Sequence, residues 1–493
     1  MNRRWQLCKT GRYCIAKRGP VVIVIALLII IITTPTTILQ PSLATAATNL
    51  SANTTTTTTD TQYNSFTLVP LNQSSTPSLV DKTNVTLRGL LTDLGDPGRW
   101  NQLLQPALDE LNRRHPDMNI ELEYTYSPQN ETRDRIFDSL SNGDPVDIVS
   151  LGDLWLGDFA GQGLLANLTD EFEQWGRMGD LYEANLDGSV YNNTLYGLWL
   201  WTDIRGMWYW KDMLQEAGVD PESLKTWDGY ISAAVKLNDF FEEDSSVIQG
   251  VHLVGASYDQ DMWYPYLWML GGEILELREG HPTKGVYWFP SYNSSEGVRA
   301  LEFLKRQVDA GIEPQERLAI EPTFVNRNFS VMLGGSWMPG FFPRESWPTL
   351  EQQVGFIPMF PVPNQTTQTS TMMGGWELAI PSTSQNSDLA WELITIIAEP
   401  EILGPFLQEY VYLPTQRTLG EGPSSEPLKE SIPFFEEMVS MIPYGRSRPN
   451  IAEYPEIAEH IHQAIQQVYN GSAASPEDAL NTAAAKSADL LGW

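Results

Sequence analysis

Cysteine is nearly absent from this sequence. Cys8 and Cys14 are the only two, and both precede an apolar run at Val21–Ile32. Past that run there is no disulfide, no thiolate nucleophile and no cysteine-ligated metal. Histidine is scarce as well, at five residues. The one close pair, His460 and His462, falls i, i+2 in a helical pattern, which turns the two rings about 200° apart and makes a poor metal pair. Positive charge is the third shortage. Lys and Arg total 31 against 62 Asp and Glu, a formal charge of −31. Arg3, Arg4, Lys9, Arg12, Lys17 and Arg18 all precede the apolar run, so the remainder is more acidic still. Such a chain repels nucleic acid and anionic lipid headgroups and does not suit a phosphorylated or strongly anionic substrate. Neutral ligands are tolerated, and cationic ones would be attracted.

Catalytic signatures are missing too. There is no His-Glu-x-x-His, Gly-x-Ser-x-Gly, Gly-x-Gly-x-x-Gly or phosphate loop. Neither a metal nor a cofactor is expected. A glycosidase needs only two well-placed carboxylates, and with 62 acids that option stays open.

Long apolar runs are limited to "VVIVIALLIIII" (21–32). Its length fits a secretory h-region better than a spanning helix, which needs roughly 20 residues. The segment 1–46 reads as a signal peptide cleaved after Ala46, or as an uncleaved anchor extended to Leu39 with its basic end inside. Either way the bulk of the chain lies outside the membrane, at the cell surface. Residues 47–83 form a Thr/Ser-rich linker that cannot bury a core and reads as an exposed stalk. Asn-x-Ser/Thr acceptors stand at Asn49, Asn53, Asn72, Asn84, Asn130, Asn167, Asn192, Asn293, Asn328, Asn364 and Asn470, as in a glycosylated surface protein.

From Asn84 the pattern is ordered. "VTLRGLL" alternates as a strand, and Trp100–Arg114 carries a helical stripe of Leu104, Ala107, Leu108 and Leu111 that ends before Pro116. "NIELEYTY" alternates again, Glu131–Leu140 is a short helix, "VDIVSL" is a buried strand, and a further helix opens at Leu156. This order implies parallel strands with right-handed crossovers, and ligands bind beyond the carboxyl ends of such strands. The loops Leu91–Trp100 and Gly152–Trp155 therefore face a site. Later helices are expected at Trp210–Ala217, Gly229–Phe241, Ser295–Ala310, Ser387–Ala398 and Tyr454–Tyr469. Later strands are expected at Gly250–Val254, Ser330–Leu333 and Glu377–Ile380, the last after a surface crossing, "FPVPNQTTQTSTMMGG".

What the sequence has in abundance is tryptophan, 17 residues. These gather beside glycine and acids in "GDLW", "LWLWTD", "DQDMWYPYLW", "GGSWMP" and "GGWELAIP". A pyranose ring has an apolar C–H face and a belt of hydroxyls. A Trp face packs on the first, while Asp, Arg and backbone amides bond the second. For a single such Trp the core reading wins, but five clusters, each with Gly or Asp adjacent, shift the balance to a site for some of them.

Six segments in order, "DPVDIVSLGDLWLGDFAGQGLLANLTD", "YNNTLYGLWLWTDIRGMWYWKDMLQEAGVDPESLKTWDGYISAAVKL", "SVMLGGSWMP", "MMGGWELAIPSTSQNSDLAWELI", "VYLPTQRTL" and "RPNIAEYPEIAEHIHQAI", resemble the extracellular sugar-binding proteins of ATP-driven importers, the maltose/trehalose type. The resemblance runs from about residue 86 to the end. It implies an α/β, two-lobed periplasmic-binding-protein-like fold with a cleft between lobes: 84–201 with 374–425, and 202–373 with 426–493. It implies a monomer that binds a di- or oligosaccharide, closes by hinge bending and docks on a permease pair with its ATPase, without chemistry.

Residue by residue, the resemblance puts Trp201 against a sugar ring and has Asp203 accept from two hydroxyls. Trp208, Tyr209 and Trp210 enter the second lobe's core. Trp337 and Trp376 match cleft aromatics, Gly374 and Gly375 the backbone donors, and Arg448 a cleft arginine near the end. Arg133 or Arg135 matches one on the first lobe. Asp96 and Arg99 occupy the first post-strand loop, and Asp261 and Trp263 a helix that reaches the ligand. Where the family often has an acid three residues before the loop Trp, this chain has Gly152, with Asp153 following. A cationic ligand such as a polyamine, a secreted glycosidase and a surface adhesin remain the alternatives.

Overall fold

The computed structural model describes residues 65–71, 82–92, 94, 97–242, 249–252, 259–312, 320–358, 361–363 and 369–493. The apolar run, the residues of the expected stalk before 65, Asp96 and the acceptors Asn49, Asn53, Asn72 and Asn364 lie outside them. Among the described residues no helix is long and apolar enough to cross a membrane.

The first sheet grows as the sequence pattern requires. Strands β2 (Thr83–Thr92), β3 (Met118–Ser127) and β4 (Ile148–Gly152) pair in parallel, with β2 in the middle, and β1 (Ser65–Leu68) adds antiparallel to β3. The crossover helices are Pro97–Arg114 and Gln129–Asn142. The first buries Trp100, Leu104, Ala107, Leu108 and Leu111, its apolar stripe, against the sheet. The second stops at Gly143, whose φ of 76° is the left-handed cap that glycine takes without a Cβ clash. A short hairpin follows, β5 (Val190–Tyr191) and β6 (Thr194–Leu195). Asn192 and Asn193 turn it at φ of 47° and 60°, and asparagine is the non-glycine residue best suited to that region.

The stretch "GLWLWTDIRGMWYW" is one strand, β7 (Gly197–Trp210), which serves two sheets. Its residues from Gly197 to Ile204 pair with β13 (Thr371–Ala379), whose other edge meets β4. From Arg205 to Tyr209 it pairs with β11 (Phe329–Gly335) on one side and, from Met207 to Trp210, with β12 (Val354–Ile357) on the other. Strand β8 (Gln249–His252) extends β11 in parallel. A hairpin, β9 (Leu275–His281) with β10 (Gly285–Pro290), stands apart, and β14 (Leu413–Pro414) and β15 (Gly445–Arg446) are short additions to β7 and β13. Burial on both faces along nearly all of β7 explains why it is so aromatic. Trp208 packs on Phe356 and Phe434, and Trp210 on Phe324 and Phe342, in the second lobe.

Most expected helices form within a residue or two of their expected ends, and Tyr454–Tyr469 matches at both. Thr226 and Ser294 cap Trp227–Phe241 and Ser295–Asp309 by accepting from Gly229 and Gly297 amides. Two boundaries differ. Trp210 ends the strand instead of opening a helix, because Val354 pairs with it. The strand expected from Glu377 begins at Thr371, because the "TMMGG" run, read as part of a surface crossing, is clamped by β7 and β15. The β9–β10 hairpin and the helices Pro400–Tyr410 and Pro476–Leu491 had no sequence expectation.

Candidate ligand cleft between the lobes

The site begins where β7 leaves the first sheet. Asp203 faces Gly374 across the pairing, and the Gly374 amide donates to Asp203 Oδ1 at 3.0 Å. Arg205, two residues on, pairs with the same carboxylate. Both glycines are needed for close approach. A Cβ on Gly374 would sit 3.1 Å from Asp203 Oδ1, and one on Gly375 would sit 2.4 Å from the Trp201 carbonyl oxygen. The Gly374 amide, expected to serve a ligand, is thus already used within the protein.

A cleft of ≈ 1260 Å³ opens over this junction. The first lobe contributes Arg99, Arg133, Gly152, Asp153, Trp155, Trp201 and Trp376, and the chain after helix Pro400–Tyr410 contributes Tyr412. The second lobe contributes Asp261, Glu321, Trp337 and Phe341. Of the residues singled out in the sequence, Arg99, Arg133, Asp153, Trp201, Asp203, Asp261, Trp337, Gly374, Gly375, Trp376 and Arg448 come together here. Asp96 lies outside the described residues. Trp263 does not reach the wall: it is 0 % exposed and packs on Tyr264. Its neighbour Met262 and Asp261 take the cleft side of helix Asp259–Met269, and residues i and i+2 on a helix diverge by about 200°. Of the two candidate arginines, Arg133 is at the cleft, while Arg135 bonds Thr125 Oγ1 and the Tyr126 carbonyl.

The aromatic surfaces differ in availability. Trp201 is 3 % exposed, stacked on Tyr412 with centroids 5.1 Å apart and 11° between planes, and flanked by Trp100 and Phe406. Both rings line the cleft, and Tyr412 is the more exposed of the two, so little of the expected stacking face of Trp201 is open. Trp337 carries the Arg205 guanidinium 4.6 Å from its ring centroid and donates from Nε1 to Glu321 Oε1 at 2.9 Å. Trp155 meets Trp376 edge-on at 5.4 Å, and both are half-buried. Tyr410, Tyr412, Phe341, Glu321 and Arg205 went unassigned in the sequence. The alternation "YVY" at 410–412 was the available signal for the two tyrosines.

The charged groups are organised into pairs. Arg448 donates from Nε to Asp261 Oδ1 at 3.1 Å, from Nη2 to Asp261 Oδ2, and from Nη1 to Asp153 Oδ2. All three are buried. Asp153 follows β4 in the first lobe, and Asp261 belongs to a helix whose Tyr266 packs on Trp227 and Phe303 in the second. Arg448 itself lies on a segment that crosses between them: Arg446 pairs with Glu273, and Asn450 Nδ2 donates to the Gly188 carbonyl. The three residues clamp one lobe to the other. Burial raises the Asp153 carboxyl above its usual range, opposed by the Arg448 charge. Burial works against the charge on Arg448, but Asp153 and Asp261 more than offset it and push its pKa up. Burial, then the nearby Arg448 charge, lowers Arg205 to about 10, so it stays cationic at neutral pH. Arg133 is held by Asp158 and Asp134.

Behind the wall, Glu377 is buried on β13 with Ser189 Oγ donating to it at 3.2 Å. Burial pushes its carboxyl well above the ordinary 4.5, favouring the protonated form, against the Ser189 hydrogen bond that works the other way.

Comparison with known proteins places this arrangement. The model of the bacterial extracellular solute-binding protein family matches residues 97–402. A Brucella abortus (strain 2308) protein named as a binding protein, with no ligand stated, is 25% identical over 399 residues, covering 78% of this chain and 90% of that one. A Sinorhizobium fredii protein named as a probable amino-acid ABC transporter periplasmic-binding protein is 26% identical over 312 residues, 58% of this chain and 62% of that one. Among solved structures, the sugar-binding protein MalE from Xanthomonas citri is similar with a TM-score of 0.68 and 18% identity, covering 83% of this chain and 97% of that one. The cyclic α-maltosyl-1,6-maltose binding protein from Arthrobacter globiformis gives a TM-score of 0.67 and 21% identity, over 83% and 99% of the two chains. With the two-lobed α/β fold and the cleft at the strand crossings, the family match leads to one assignment: this chain belongs to the bacterial extracellular solute-binding proteins.

Proposed function

We propose that the protein captures a di- or oligosaccharide outside the cell, closes its lobes around it and delivers it to an ABC-type permease. The observation that carries this is the composition of the cleft wall. Aromatic surfaces at Tyr412, Trp155 with Trp376, and Trp337 with Phe341 alternate with carboxylates whose remaining oxygens accept hydrogen bonds, in a volume above that of a usual small-molecule pocket, about 300–1,000 Å³. Ring C–H faces and hydroxyls need this alternation. Sugar-binding proteins among the structural neighbours support the same ligand class.

The contact set is Arg99, Arg133, Asp153, Asp203, Trp337, Trp376 and Tyr412, and Asp96, which lies outside the described residues, is added from the sequence resemblance alone. Trp201 backs Tyr412, and Arg448, Asp261, Gly374 and Gly375 hold the framework. The lobes are 84–201 with 374–425, and 202–373 with 426–493; the switch of partners along β7 supports a crossing close to these limits. The protein works as a monomer and without turnover; the second statement is supported by Arg205 and Arg448 holding Asp203, Asp153 and Asp261, and by Glu321 accepting from Trp337. The same pairing argues against a polyamine ligand. The N-terminal segment exports or tethers the chain, and glycans sit on its surface acceptors, of which Asn84, Asn167, Asn192 and Asn470 are exposed.

A thermal-shift screen over mono-, di- and oligosaccharides, amino acids and spermidine tests the reading. A saccharide should give the largest shift, with no release of reducing ends on prolonged incubation. A shift with spermidine or an amino acid alone, or sustained sugar cleavage, would replace it. Glycopeptide mass spectrometry of native protein checks the surface acceptors.

A further inference from the structure

We propose that the ligand is an acidic oligosaccharide, with a carboxylate on the ring that occupies the Arg99 end of the cleft. This rests on the saccharide reading above and goes beyond it in naming the sugar class. Among the described residues four arginines line the cleft, Arg99, Arg133, Arg205 and Arg448. Three are neutralised within the protein: Arg133 by Asp158 and Asp134, Arg205 by Asp203, and Arg448 by Asp153 and Asp261. For Arg99, no carboxylate among the described residues lies within ion-pair distance. Its guanidinium rests 4.5 Å from the centroid of the Tyr410 ring. Its one hydrogen bond among the described residues, Nη1 to Tyr412 Oη, is long at 3.4 Å. Its Nε is buried without a partner. The aromatic ring supports the charge but accepts none of the N–H donors. A planar fork with unspent donors, fixed in place by stacking, is the geometry that recognises a carboxylate in preference to a lone hydroxyl.

The backbone around this end is shaped for it. Val411, between the two tyrosines, has φ 60° and ψ 44°, a left-handed conformation that a β-branched residue avoids. The turn brings Tyr410 and Tyr412 to one wall with ring centroids 6.5 Å apart and 37° between planes. Strain of this kind persists where the surroundings over-determine it, as at ligand clamps. The second lobe closes the same end. A Cβ on Gly340 would lie 3.6 Å from Val411 Cγ2, and Phe341 beside it is 47 % exposed on the cleft wall. One ring thus finds tyrosines and a cation from one lobe and a phenyl face from the other. The acidity of the whole chain is no barrier, because charges beyond about 8 Å are largely screened at physiological ionic strength.

The test uses calorimetric titration of the full exported chain with trisaccharide pairs that differ only in a terminal C6, hydroxymethyl against carboxylate. The hexuronate form should bind at least about tenfold tighter at low salt, with the advantage shrinking as salt rises. In Arg99→Gln the ratio of the two affinities should fall to near one, and Arg99→Lys should recover part of it; a melting curve for each variant confirms folding. A parent that prefers the neutral sugar, or a preference that survives in Arg99→Gln, overturns the proposal while leaving saccharide binding intact. Failure of every saccharide to bind overturns both.

Discussion

Trp201 lies flat against Tyr412, ring over ring at 5.1 Å, and both rings line the cleft, the tyrosine the more exposed. On the proposed reading the tyrosine offers the larger contact surface and the tryptophan supports it. Tyr412→Ala should weaken saccharide binding by about 1–3 kcal/mol, by analogy with aromatic stacking on bases, or roughly 5- to 150-fold. Trp201→Ala should lower the melting temperature as well, since a buried ring among Trp100 and Phe406 is lost, at about 3–5 kcal/mol. Titration and melting of both variants separate the roles. Unchanged affinity in Tyr412→Ala would remove it from the site.

The Arg448 clamp gives a prediction about shape. Arg448→Met leaves two buried carboxylates facing one another without a counter-charge. Truncating one partner of such a buried pair costs about 3–5 kcal/mol, and opening the lobes relieves it by hydrating the acids. Small-angle scattering of the ligand-free variant should show a larger radius of gyration than the parent. Equal radii in both would mean the triad does not hold the lobes together.

Glu377 should make stability depend on pH. Its folded-state pKa stands above the unfolded value, so its stabilising contribution is complete below about 4.5 and is lost as pH rises toward the folded value. Glu377→Gln keeps the neutral shape. The variant should lose less stability than the parent between pH 4.5 and neutrality, measured by denaturant midpoints across that range. Parallel profiles would show that the acid is charged or hydrated in the native state.

Trp210 is core and not cleft. Its Nε1 donates to the Phe324 carbonyl at 3.0 Å and its ring stacks on Phe324. Trp210→Ala should cost about 3–5 kcal/mol of stability. At a temperature where the variant is folded, its ligand affinity should match the parent's. A selective loss of binding would contradict this placement.

Much of this was legible in the sequence, and for physical reasons. The helical stripe of Pro97–Arg114 and the alternation in β2 and β3 are local patterns with one solution, so those elements and their parallel order were readable. The cleft tryptophans and glycines were readable through their company. What local pattern does not encode is who covers whom. Trp201 looked like a platform because nothing in "LWLWTD" announces Tyr412, more than two hundred residues later in the chain. Trp263 looked like a contact because Asp261, two residues before it, lines the cleft, although helical geometry sends the two apart. The Gly374 amide looked free because its acceptor, Asp203, sits on another strand.

The shared strand β7 has a thermodynamic consequence. Each lobe's sheet is completed by half of the same fourteen-residue strand, and β13 returns alongside it. Neither half of the molecule, cut out alone, owns a finished sheet: the first would lose the residues that return at β13, and the second would begin with its central strand severed. Melting of one lobe strips hydrogen-bond partners from the end of the strand that anchors the other. The shared strand therefore couples the stability of the two lobes, so that loss of either sheet weakens the other.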